Sequence, residues 1–269
     1  MKGMPKADVG VFGGSGFYSF LKVKEEFEVN TPYGKPSDKI ILSELDGINV
    51  AFIPRHGKKH VLPPHKINYR ANVYAMKELG VKHIFGPCAS GSLQPHVKPG
   101  QFVICDQFVD RTKGRIDTFY DGPKTTHMSM AEPYCPVLRN IVAECADELG
   151  ITYHNKGTVV VIQGPRFSTK SESKWFSSQG WEVISMTQYP ECYLARELEM
   201  CYVNISLITD YDVGLEGRPE IKAVTTKEII KIFELNIEKL RNLLFMAIPK
   251  VPEKRDCVCS HALKETIIN

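Results

Sequence analysis

Short apolar runs recur along the chain and are separated by polar or glycine-rich corners. They are "VGVF" from Val9, "KIILSEL" from Lys39, "NVAFIPR" from Asn49, "HIFGPCAS" from His83, "QFVICDQFVD" from Gln101, "GTVVVIQ" from Gly157, "EVISM" from Glu182 and "YVNISLITD" from Tyr202. Runs of this kind are expected of strands in a sheet covered on both faces. Between them lie helical periodicities. "YRANVYAMKELG" carries apolar residues at 73, 76 and 79 and stops at Gly80, "CPVLRNIVAECADELG" repeats the form and stops at Gly150, and residues 225–248 make the longest amphipathic stretch. Strand alternating with helix predicts an α/β layer fold with a mixed, partly curled sheet.

Composition narrows the class. The 269 residues are 43% hydrophobic, enough for one sizeable core. No repeat, low-complexity linker or composition break divides the chain, so one domain is expected over 1–248, followed by an arm, 249–269, with a short helix. The net charge of +3 is small and no run of five basic residues occurs, which argues against a nucleic-acid groove or a membrane surface. No apolar run reaches the 18 residues of a membrane span and no leader is evident, so a cytoplasmic protein is expected. The eight cysteines include no CxxC pair. "CVCSH" at 257–261 supplies at most three metal ligands by itself, and no metal is expected. Such thiols stay reduced in a mesophile's cytosol and are open to pairing in a hyperthermophile.

Several strand ends carry candidate chemistry. "DVGVFGGSGFYSF", 8–20, runs from an apolar strand into Gly13-Gly14-Ser15-Gly16. The third glycine of a dinucleotide fingerprint would fall at 19, which is serine, and no Gly-Lys-Ser/Thr follows, so neither a Rossmann nor a Walker loop fits. Backbone N–H groups in such a turn can form an anion nest, with the Ser15 hydroxyl as an added donor; a plain turn is the other reading. "FIPRHGKKH" brings Arg55 and His56 to another strand end, and an arginine fork matches two oxyanion oxygens. "ASGSL" from Ala89 and "SMT", Ser185 to Thr187, are further small-residue corners. "SLITDYDVG" presents Asp210 and Asp212 two apart, on one face of a strand end. They read as turn formers, or as an acid whose pKa burial and a like-charged neighbour would raise. Phe167, in a loop directly after a strand, suits either a covering hydrophobe or a stacking platform.

In this order the segments resemble the trimeric purine nucleoside phosphorylase family, and within it the branch that cleaves 5'-methylthioadenosine. They include "GVFGGSGFY", "TPYGKPSD", "RHGKKHVLPPHKINYRANVYAMKELG", "GSLQPHVKPG", "TFYDG", "MAEPYCP", "GTVVVIQGPRFSTKSES", "MTQYPECYLAREL" and "TDYDVG", and the likeness runs from about residue 9 to about 245. The resemblance implies a partly barrel-like mixed sheet flanked by helices. It also implies phosphate as the second substrate, no cofactor or metal, and a homotrimer or homohexamer with shared sites.

Residue by residue, it implies phosphate contacts from Ser15, Arg55, His56, Ala89 and Thr187. Met186 falls near the ribose with Ile184 beside the substrate, Phe167 falls on the purine, and Asp210 and Asp212 fall at the base. His127 would reach the 5' end of a nucleoside in a neighbouring subunit, and Ile229 would supply an apolar wall for a methylthio group. Asp rather than Asn at 210 favours a 6-amino purine, because a carboxyl can donate at N7 and accept from N6. A methylthioinosine or broader purine phosphorylase, a nucleosidase using water and an inactive nucleoside binder are the alternatives. The sequence departs from the family pattern at Cys88 and Ser90, in "MTQYPECY", and in the length of "YDVGLEGRPEIKAV".

Overall fold

A computed structural model describes residues 5–14, 22–215, 217, 221, 226–264 and 266–268, without the side chains of 226–230. Thirteen strands form among the described residues, and they include every predicted run. They are β1 (Val9–Gly13), β2 (Val23–Phe27), β3 (Ile40–Leu45), β4 (Ile48–Pro54), β5 (His83–Ser92), β6 (Phe102–Val103), β7 (Gln107–Arg111), β8 (Thr125–Thr126), β9 (Tyr153–His154), β10 (Thr158–Ile162), β11 (Val183–Ser185), β12 (Cys201–Tyr211) and β13 (Ile267–Ile268). The helices are α1 (Tyr69–Glu78), α2 (Pro136–Glu148), α3 (Lys170–Ser178), α4 (Gln188–Glu197) and α5 (Thr226–Ala247). The run "QFVICDQFVD" makes two strands rather than one.

Eleven strands, among the described residues, form one mixed sheet in the order β2-β3-β4-β1-β5-β11-β10-β7, with β12, β6 and β9 branching from β5. β5 causes the branching. Its first half pairs parallel with β1, its end pairs antiparallel with β11, and its whole length pairs parallel with β12. A strand with three neighbours must twist out of one plane, which curls the sheet towards a barrel. The architecture is therefore a single α/β domain with a mixed, partly barrel-like sheet and flanking helices.

The helices follow local rules. Asn68 caps α1 by accepting from the Ala71 N–H at 3.1 Å, and Gly80 ends it at φ +83, a conformation glycine adopts without a Cβ penalty. Val73, Met76 and Leu79 are buried, as their spacing predicts. Thr169 and Glu172 form a capping box at the start of α3, with the Thr169 side chain accepting from the Glu172 N–H at 3.2 Å and the Glu172 carboxylate accepting from the Thr169 N–H at 2.7 Å. From Pro249 the chain forms a short 3-10 turn at Val258–His261, and its last described residues pair through β13 with β8. No helix among the described residues is long and apolar enough to cross a membrane.

Candidate active site

The C-terminal ends of β1, β4, β5 and β12, which run parallel, meet those of β10 and β11, which run antiparallel to β5, at a pocket of about 1120 Å³. Its wall includes Gly14, Arg55, His56, Ala89, Phe167, Ile184, Met186, Thr187, Asp210 and Asp212, so the corners of six separate strands do converge. Ser15 lies outside the described residues. Gly14 lines the pocket, and the preceding Gly13 accepts at its carbonyl from the Arg55 N–H at 2.9 Å.

Arg55 is buried, and its guanidinium is only partly available. Its Nε–H and one Nη2–H donate to the two carboxylate oxygens of Glu191, the second at 2.9 Å, and an Nη1–H donates to the Pro87 carbonyl at 3.1 Å. Of five donors, one on each Nη remains. Burial alone would lower the guanidinium pKa, but the Glu191 carboxylate outweighs it and holds the charge firmly. The Tyr202 hydroxyl donates to the same carboxylate at 2.9 Å, so Glu191 is satisfied and fixes the arginine.

His56 donates from Nδ1 to the Leu62 carbonyl at 2.8 Å, a bond only the Nδ1–H form can make. Burial, aided by the Arg55 charge, pushes its pKa down to about 4. The ring is therefore neutral near pH 7, with Nε2 as an acceptor. It stacks on His60 with ring centroids 4.1 Å apart.

The acid end of the pocket is built by a bulge. β12 runs in register with β5 from Cys201 opposite His83 to Ile208 opposite Ser90, then skips Thr209 and resumes with Asp210 opposite Gly91. The extra residue re-aims the strand end. The Thr209 hydroxyl donates to Asp210 Oδ1 at 2.6 Å, and the Ser168 hydroxyl donates to Asp212 Oδ2 at 2.6 Å. Burial raises the Asp210 pKa, the Thr209 bond opposes that rise, and the Asp212 charge adds to it. Gly91 leaves the room in front. A Cβ there would lie 3.1 Å from Ile184 Cγ2 and 3.9 Å from Asp210 Oδ2. On β5, Ala89 and Gly91 are two residues apart, about 7 Å along the strand.

Phe167 is 78% exposed at the pocket mouth. Its loop is pinned by the α3 capping box behind it and by Arg166, which pairs with Glu172 at 2.7 Å. Met186 and Thr187 sit between β11 and α4. Arg115 ties that segment to the loop after β10, donating to the carbonyls of Met186 at 2.9 Å and Gln163 at 3.0 Å and also to the Tyr189 carbonyl.

Two expected residues stand apart. His127 is exposed beside β8, its N–H donating to the Thr266 carbonyl at 3.1 Å, and it does not line this chain's pocket. The Ile229 side chain lies outside the described residues. Phe233 and Ile237, one and two turns further along the same stripe of α5, do line the pocket.

Glu191, Ser168, Thr209, Tyr202 and Arg115 were not singled out from the sequence. Glu191 and Ser168 stand in segments that carry the family resemblance. Their roles depend on contacts across 136 and 44 residues, which no local pattern encodes.

A match to the phosphorylase superfamily spans residues 8–248, and the chain belongs to that superfamily. It is 51% identical to an S-methyl-5'-thioadenosine phosphorylase of Thermofilum pendens, over 98% of this chain and 100% of that protein. It is 47% identical to a purine nucleoside phosphorylase of Streptomyces coelicolor, over 96% of this chain and 95% of that protein. Among solved structures it is similar to a methylthioadenosine phosphorylase sourced from an antarctic soil metagenomic library. That match has a TM-score of 0.92 and 38% identity, and it covers 98% of this chain and 93% of the other.

Proposed function

We propose that the protein cleaves the N-glycosidic bond of 5'-methylthioadenosine with phosphate, giving adenine and 5-methylthioribose 1-phosphate. The carrying observation is one pocket with a fixed cation at one end and, at the other, a carboxyl whose pKa is raised by burial. The names of the relatives support the same reading.

The anion end comprises the two remaining Arg55 N–H groups, the backbone at Gly14 and Ala89, and the Thr187 hydroxyl, with Ser15 expected to join them. His56 Nε2 accepts from the hydroxyl of hydrogenphosphate. A phosphate held there faces C1' of a ribose lying over Met186, and its charge favours the oxocarbenium-like transition state. The new C1'–O bond forms as C1'–N9 breaks. The electron pair passes to the purine, and Asp210 donates a proton or a short hydrogen bond at N7. Overall, the proton lost by hydrogenphosphate ends on adenine. General acid help of this kind contributes about 10²–10⁴-fold.

Asp210 also sets the purine, since its second oxygen accepts from an N6 amine, and Asp212 holds the base edge beside it. Phe167 covers the purine, and Phe233 and Ile237 give the 5' group an apolar wall. His127 completes the 5' end from a neighbouring copy in a homotrimer or homohexamer. No organic cofactor or metal takes part in this scheme.

Mixing the protein with methylthioadenosine with and without phosphate tests the reading. Adenine should be released only when phosphate is present. Release without phosphate would identify a hydrolase, and equal rates on methylthioinosine would remove the purine preference.

A further inference from the structure

The arm that follows the domain meets it at a cluster of thiols. Cys135 caps the start of α2, Cys201 opens β12, and Cys257 and Cys259 come from the 3-10 turn of the arm. All four are buried, and their four sulfurs lie within 4.8 Å of one another. The spacing of "CVCSH" alone offers too few ligands. The fold supplies the missing two from positions 122 and 56 residues earlier than Cys257. We propose that Cys135, Cys201, Cys257 and Cys259 form a tetrathiolate site for a thiophilic divalent cation, zinc being the natural occupant.

The geometry supports a metal more directly than it supports sulfur–sulfur bonds. Zinc holds four thiolates at about 2.3 Å in a tetrahedron, which sets the sulfurs about 3.8 Å apart. All six sulfur pairs here are mutually close, whereas two disulfides would draw together only two of them. Cys201 and Cys257 approach to 3.3 Å without being bonded.

The surroundings are dry and apolar, with Leu138, Leu243, Ala247 and Ile248 in the same core cluster, so water is kept from the ligands. Such a complex carries two net negative charges. Buried Arg196 interacts electrostatically with Cys259, so partial compensation is in place.

The consequence is mechanical. A metal at this point fastens the arm to α2 and β12, and the arm then reaches β8, where Thr266 accepts from the His127 N–H. The site is separate from the pocket, so it bears on stability and on the placement of His127 rather than on chemistry at C1'.

The test uses the full-length protein purified without chelator or reductant. Elemental analysis should give about one zinc per chain, and alkylation in denaturant with chelator should find all eight cysteines free. Metal-stripped protein titrated with cobalt(II) should develop the visible bands of a tetrahedral thiolate complex at about one equivalent. The Cys257→Ser/Cys259→Ser variant should hold less than about a tenth of the metal. Metal-free protein with fewer than eight free thiols would overturn the proposal in favour of disulfides. Metal-free protein with all eight free would overturn it outright. Neither readout depends on the reaction assigned to the pocket.

Discussion

Glu191 grips Arg55 from behind, with both carboxylate oxygens on one edge of the guanidinium and neither residue more than 1% exposed. The pair makes the cation rigid and leaves only its outer N–H groups for an anion. Replacing Glu191 by Ala strands a buried charge, which typically costs about 3–5 kcal/mol. The melting temperature should fall by about 10 °C, and the KM for phosphate should rise. The double variant Arg55→Met/Glu191→Leu should recover most of the stability and none of the phosphate affinity. Thermal denaturation alongside phosphate titration checks both outcomes.

Asp210 should show opposite effects on activity and stability. Asp210→Asn should reduce kcat/KM for methylthioadenosine by about 10²-fold or more, and shift the preference towards 6-oxo purines. Its pKa is raised in the fold, so the favourable contribution of its neutral form is present at low pH and lost as pH rises through the folded value. The Asn variant should therefore be more stable than the parent near pH 7, with the advantage shrinking in acid. Denaturant unfolding at several pH values would show the crossover.

Ser168 holds the second aspartate. Ser168→Ala removes the 2.6 Å bond and leaves a buried Asp212 oxygen without it. A loss of about 1–3 kcal/mol in transition-state binding is expected, read as a drop in kcat/KM of roughly tenfold or more. Overall unfolding should change less.

Buried neutral histidines predict acid sensitivity. Burial lowers the pKa of both His56 and His83 to about 4. Their neutral forms stabilise the fold above the ordinary histidine value of about 6.5, and that contribution is lost as pH falls from there through about 4. Each should account for on the order of 1–2 kcal/mol across this window. His83→Gln should flatten the stability profile between pH 6 and 4, as followed by thermal melts.

Arg115 touches no expected substrate atom, but it joins the segment under the ribose to the loop leading to Phe167. Arg115→Lys keeps the charge and loses the planar fork. The KM for the nucleoside should rise several-fold with a smaller change in kcat, as steady-state kinetics would show.

The pattern of apolar runs was enough to place the main strands and the helices α1, α2 and α5, but not α3, α4 or the strands β2, β8, β9 and β13. β5, β10 and β12 are continuous hydrophobic runs because both faces are covered, and α1 and α2 end at the glycines that mark them. The candidate corners were also readable, since small residues after a buried strand announce a backbone left open to a ligand. Three features were not. The Thr209 bulge changes which way Asp210 points, and nothing in "LITDYD" signals it. Glu191 reads as an ordinary helical residue, because its partner is 136 positions away. The third side of β5, which curls the sheet, follows from the return of β12 along it and not from the composition of either strand. The same limit hid the thiol cluster, two members of which are distant from the CxC pair.

The central claim is that one pocket holds a phosphate and an acid on opposite sides of a single sugar. A crystal structure of the protein with phosphate and a methylthioadenosine analogue that resists cleavage tests this most directly. The account predicts a tetrahedral anion touching Arg55, the Ala89 N–H and Thr187, with Asp210 within hydrogen-bond distance of purine N7. A purine seated against Arg55, or an anion bound away from it with Asp210 facing solvent, would contradict the account.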